Sequence, residues 1–195
     1  MGEIPPAGPS PAETTDYAIF EGLFRRALRV EPNGPMADEL RQVGFDLRAP
    51  KGRYPTSVLK AALDVASRHR FPGLPLEQGH RELGRLFTSG FSETIVGRVM
   101  GSIIPFLGME LLMARMQKFT SMTTAGATVE SIKEGEKKWR LRYHVRHWSP
   151  DFTAGALESG VAKVNMPVTV VVENRSETGF DLVVTALPPG GSGPA

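Results

Sequence analysis

Lys138 to Trp148 reads KWRLRYHVRHW, and its alternation decides how the second half of the chain folds. Trp139, Leu141, Tyr143, Val145 and His147 fall on one face of an extended strand, while Arg140, Arg142, His144 and Arg146 fall on the other. A period of two marks a strand with one face against a core. Upstream, Thr128 to Lys133 predicts a partner strand, with Glu134-Gly135-Glu136-Lys137 as the turn between them. Downstream, Pro150 closes the long strand and a helix is expected from about Phe152 to Val164. Pro167 to Glu173 and Gly179 to Leu187 then form a hairpin around Asn174-Arg175-Ser176-Glu177. The back half is therefore ββαββ.

Before this block the apolar period is helical. Ile19, Phe20, Leu23, Phe24, Ala27 and Leu28 share a helix face, stopped by Glu31-Pro32-Asn33-Gly34-Pro35. A short helix follows over Met36 to Val43. A third begins with Thr56 or Ser57 as its cap and presents Leu59, Leu63 and Ala66; a fourth begins near Pro75 and presents Leu76, Leu83, Leu86 and Phe87. Phe91 to Met122 is the most apolar stretch, and Pro105 with Gly108 divides it into two helices meeting at a bend. The fold class is α+β: a helical N-terminal half, then an antiparallel sheet packed against the helices.

Residues 1–16 are rich in Pro, Ala, Glu and Thr and read as a disordered arm; residues 188–195 (PPGGSGPA) read as a flexible tail. A single domain is expected over 17–187, a length that buries a core unaided. With no cysteine there are no disulfides, thiolate metal sites or cysteine nucleophiles. The N-terminus lacks a secretory pattern, and no apolar run is long enough for a membrane span, so a cytoplasmic location is expected. A formal charge of +2 argues against a dedicated nucleic-acid binder.

Catalytic motifs are missing. The sequence has no dinucleotide fingerprint, no phosphate-cradling loop and no GxSxG elbow, and Ser57-Val58-Leu59-Lys60 matches S-x-x-K without its companion motifs. His144 and His147 point to opposite faces of one strand, which spoils them as a ligand pair, so no metal is expected. Two features remain. Arg140, Arg142, His144 and Arg146 form a cationic ladder, suited either to an anionic ligand or to plain ion pairs with Glu130, Glu173 or Asp181. Met100, Met109, Met113, Met116 and Met122 either fill the core or line an adaptable cavity.

EGLFRRAL (Glu21 to Leu28), GFDLRAP (Gly44 to Pro50), FPGLPLEQGHRELGRLFTSGFSETIVGR (Phe71 to Arg98) and DFTAGALESG (Asp151 to Gly160) together resemble a myxobacterial paralogous family of unknown function. That resemblance implies a bacterial cytoplasmic protein, one of several paralogues, and such expansion is more typical of regulatory parts than of housekeeping enzymes. A fainter similarity extends to haem-nitric-oxide-binding and vinyl-reductase-type sensory domains, the first of which carry a Tyr-x-Ser-x-Arg motif that holds haem propionates. In the matching window Tyr143 is kept, but Val145 replaces the serine and His147 the arginine. No histidine lies between His80 and His144 to serve as axial ligand, so no haem or other cofactor is expected.

Two functions follow as expectations. The first is a non-enzymatic sensory module in which Met100, Ile104, Met113, Met116 and Tyr143 line a partly apolar pocket between helices and sheet, with Arg142 or Arg146 meeting an acidic group and His147 a further candidate contact. The second is a protein–protein or homodimerising adaptor with no ligand. A cavity favours the first, and a filled core with an exposed apolar patch favours the second.

Overall fold

A computed structural model describes residues 13–188. It opens with a strand that composition assigned to the arm. Thr14–Asp16 (β1) pairs antiparallel with Arg53–Pro55 (β2) and with Thr124–Ala125 (β3) in a small three-stranded sheet. Hydrogen bonding to two neighbours offsets the ordering entropy that the arm's composition suggested it would keep. The rest of the expected arm, and the expected tail from residue 189, lie outside the described residues.

Asp16 also caps the first helix, its carboxylate accepting from the Ala18 amide at 2.9 Å. This helix, α1 (Tyr17–Phe20), passes directly into a π-helical stretch, Glu21–Ala27, closed by the Leu28 amide donating to Leu23 at 2.8 Å. Helices α2 (Pro35–Gln42), α3 (Thr56–Arg70) and α4 (Leu76–Phe91) follow. The expectation that Thr56 or Ser57 caps α3 is corrected: both already lie inside the helix, and Pro55 occupies the position before it. These elements enclose a first core. Phe20 sits 4.7 Å from Phe45 and 4.6 Å from Tyr54, ring to ring, among the buried Leu23, Leu40, Leu59, Leu63 and Leu83.

The apolar stretch forms three short helices rather than two. They are α5 (Ile95–Ile103), capped by the Thr94 hydroxyl accepting from the Gly97 amide at 3.0 Å, α6 (Met109–Ala114) and α7 (Met116–Thr123). A 3-10 turn at Ile104–Phe106, built around Pro105, separates the first two. The predicted ββαββ unit follows as β4 (Thr128–Gly135), β5 (Lys138–His144), α8 (Pro150–Ala162), β6 (Val168–Ser176) and β7 (Gly179–Ala186). The sheet is antiparallel throughout, in the order β4-β5-β7-β6. Its inner face pairs Trp139 with Val184, Leu141 with Leu182 and Tyr143 with Phe180. These pack on Leu112, Met113 and Phe119 from α6 and α7 as a second core.

Helix α8 lies between the two cores. Phe152 and Ala156 belong to the first, Ala154, Leu157 and Val161 to the second, and Trp148, just before the helix, to both. It crosses α4 closely because both helices place a glycine at the contact: a Cβ on Gly155 would collide with the Arg81 carbonyl, and one on Gly84 with the Phe152 carbonyl. Beside the crossing, Arg81 and Arg85 hold Glu158 at 2.5 and 3.2 Å.

Candidate functional site

The outer sheet face carries the basic ladder, and its guanidinium groups meet carboxylates from the flanking strands. Arg140 reaches Glu134 at 2.5 Å, Glu173 at 2.8 Å and Asp181 at 3.0 Å; Arg142 reaches Glu130 at 3.1 Å and Asp181 at 3.5 Å. Cross-strand register explains this, since Arg142 stands opposite Glu130 on one side and Asp181 on the other. Arg142 therefore serves an ion-pair network on the face turned away from Tyr143.

On the inner face, Tyr143 stacks on Phe180 with ring centroids 4.8 Å apart and planes 9° from parallel. Burial pushes its hydroxyl pKa well up, with a hydrogen bond to Thr120 opposing. Met113 is completely buried in the second core, and Met100, Ile104 and Met116 pack at its margin. The structure thus places Met113 and Tyr143 within the second core and Met100, Ile104 and Met116 packed against it.

A haem does not fit these residues. Val145, at the serine position of the propionate-binding motif, is buried in the second core. His147, at the arginine position, has left the strand: β5 stops at His144, and His147 adopts φ +51° with its side chain exposed. No imidazole occurs on α5, α6 or α7. Among the described residues, no cluster of His, Asp or Glu has metal-ligating geometry.

The turn at His147 builds a different site. The Val145 amide still donates to the Thr178 carbonyl at 3.0 Å, and the Arg146 amide donates to the Glu13 carboxylate at 2.6 Å. The chain then reverses into α8, where the Ser149 hydroxyl caps the helix by accepting from Phe152 at 3.2 Å. Between this corner, the β6–β7 turn and Lys60 of α3 opens a cleft of about 620 Å³. Val145, Trp148 and Phe180 give it apolar walls; Lys60, Arg146, His147, Arg175 and Glu177 supply polar ones. Asp151, in the first turn of α8, holds Arg175 in a two-pronged pair at 2.6 and 2.8 Å, which raises the guanidinium's pKa. Lys60 stands 3.4 Å from Asp64. The Arg146 guanidinium pairs with no carboxylate among the described residues. Of the expected polar residues, Arg146 and His147 come together here. Lys60 and Arg175 were not anticipated, because only the tertiary fold brings α3 and the β6–β7 turn to this corner.

A family described as "Protein of unknown function (DUF2378)" matches residues 14–185. The chain belongs to this family. No curated protein matches this DUF2378 member. Among solved structures it is similar to a Cs H-NOX mutant containing 4-cyano-L-phenylalanine, with a TM-score of 0.65 and 14% identity over 91% of this chain and 99% of that one. An oxygen-binding H-NOX domain related to soluble guanylate cyclases gives 0.61 and 13%, over 91% and 96%. An Fe(II) unliganded H-NOX mutant from K. algicida gives 0.62 and 14%, over 89% and 97%. This DUF2378 chain therefore has the α+β fold of the H-NOX domains. No helix of the described residues is long and apolar enough to cross a membrane.

Proposed function

We propose that this protein is a non-enzymatic sensory or regulatory module that takes a small, partly apolar acid in the cleft at the β5–α8 corner. One observation carries the reading: the Arg146 guanidinium, which pairs with no carboxylate among the described residues, lines with His147 a cleft whose walls include Val145, Trp148 and Phe180. An unpaired arginine offers bidentate donors to a carboxylate or phosphate, and the apolar walls accept the remainder of the ligand. The H-NOX fold supports a sensor architecture, while the residues here suit an anion rather than the haem of its neighbours. The ligand seat thus moves from the methionine-rich face to the end of the same sheet.

The test is a thermal-shift screen of small aromatic and aliphatic carboxylates and phosphate esters, followed by calorimetry. A bound acid should raise Tm with concentration, and Arg146→Ala should weaken it about tenfold or more. Met113→Ala should lower stability yet leave affinity unchanged. If Met113→Ala abolishes binding and Arg146→Ala does not, the seat is the methionine face instead.

A specific feature favours the adaptor as a second reading. Ile95, Val99 and Ile103 recur every fourth residue along α5 with exposed side chains, and Phe106 beyond them is 87% exposed. Sedimentation velocity of the protein and of Val99→Lys tests it. Association lost in the variant supports the adaptor, and a monomer at all concentrations removes self-association.

A further inference from the structure

Lys60, in the cleft wall, is the outer end of a chain of polar contacts that runs into the protein. Its ammonium lies 3.4 Å from Oδ2 of Asp64, one turn along α3. Oδ1 of Asp64 lies 3.0 Å from Nε2 of His80 on α4. Nδ1 of His80 lies 2.8 Å from Oγ of Ser149, the cap of α8. His80 and Ser149 are buried, and a quarter of the Asp64 side chain is exposed.

The donors and acceptors can be assigned in order. Ser149 Oγ already accepts from the Phe152 amide, so its own proton is available to Nδ1 of a neutral His80, whose Nε2–H then faces the carboxylate. That last contact is oblique, leaving Nε2 and Oδ1 without a well-aligned partner. Burial pushes the Asp64 carboxyl up, but the nearby His80 and Lys60 hold it below the ordinary range. Of the neighbouring charges, Glu77 lies one turn earlier on α4 and within electrostatic reach of Arg175, whose guanidinium Asp151 occupies.

We propose that this chain of groups reports occupancy of the cleft to α8. An anion that binds Lys60 draws it from Asp64, His80 takes up a proton from solvent as the carboxylate's remaining cationic partner, and Ser149 turns its hydroxyl away from Nδ1. Nδ1 has then become a donor, so Ser149 Oγ accepts two hydrogen bonds in place of one and its own O–H must find another acceptor. The change lands on the cap of the helix that joins both cores. The proposal rests on the acid-binding cleft for its trigger, but the relay itself can be tested without a ligand.

The measurement is the NMR pH titration of the His80 ring in the full chain and in Lys60→Met, with inorganic phosphate as the anion probe. Lys60→Met should raise the His80 midpoint by about half a pH unit or more, because Asp64 then acts on the imidazole alone. Saturating phosphate should do the same in the natural protein and nothing further in Lys60→Met. In an Asp64→Asn background Lys60→Met should have no effect, since the influence travels through the carboxylate. A His80 midpoint unmoved by Lys60→Met overturns the relay, even if phosphate shifts the Arg146 and His147 amides and so upholds the cleft. A midpoint that moves in Lys60→Met while phosphate binds nowhere upholds the relay and removes the acid-binding reading.

Discussion

The phenol of Tyr143 lies flat against Phe180, shut off from solvent, and burial raises its pKa above the ordinary 10.0. An acid whose folded value is raised adds stability that is intact below the unfolded value and is lost as pH climbs through it toward the folded one. Destabilisation is therefore expected above about pH 10, and Tyr143→Phe should flatten that alkaline limb. Urea midpoints of both proteins at pH 8 and pH 10.5 check this; a gap between them that is unchanged at the two pH values rules it out. Alternation alone puts both Tyr143 and His147 on the inner face, and of the two Tyr143 lies there and His147 does not. The period of two in KWRLRYHVRHW runs through His147 without a break, but a single positive φ removes that residue from the inner face. Side-chain order carries no trace of one residue's backbone handedness, and histidine is among the residues that tolerate it. The contact between His80 and Ser149, 69 positions apart, was equally invisible.

Helix α8 contains its own control experiment. A methyl group at Gly155 meets the Arg81 backbone, which cannot step aside, whereas one at Gly160 meets only the Thr88 methyl at an ordinary 3.7 Å. Gly155→Ala should cost about 2–4 kcal/mol through the forced separation of α4 and α8. Gly160→Ala should be neutral or stabilising by up to about 1 kcal/mol, as for glycine replaced within a helix. Equal Tm values for the two variants would show that the crossing is looser than described. Elements of this kind differ in how plainly they can be read. The strands β4 to β7 each run seven to nine residues, long enough for alternation to register. The strands β1, β2 and β3 have three, three and two, too few to show any period, and Thr14–Asp16 also lies beside a Pro-rich stretch. The π-helical turn is indistinguishable from ordinary helix in the sequence because Leu23, Phe24 and Leu28 satisfy either winding.

Two cores share one helix, and this sets how the whole molecule unfolds. Phe152 is buried on the side of α8 that faces the first core, while Ala154 and Val161 face the sheet. Phe152→Ala should cost about 3–5 kcal/mol. If the cores are coupled through α8, amide hydrogen exchange should quicken at Leu182 in the sheet as well as at Leu63 in α3. Faster exchange confined to Leu63 would mean that the halves open independently. The same junction gives the protein an optical property. Trp148 touches both cores, walls the cleft and donates its indole N–H to Thr153 at 2.7 Å; the second tryptophan, Trp139, is buried in the sheet. With Trp139→Phe all tryptophan emission comes from the cleft wall, so its intensity and colour become a label-free record of what enters it.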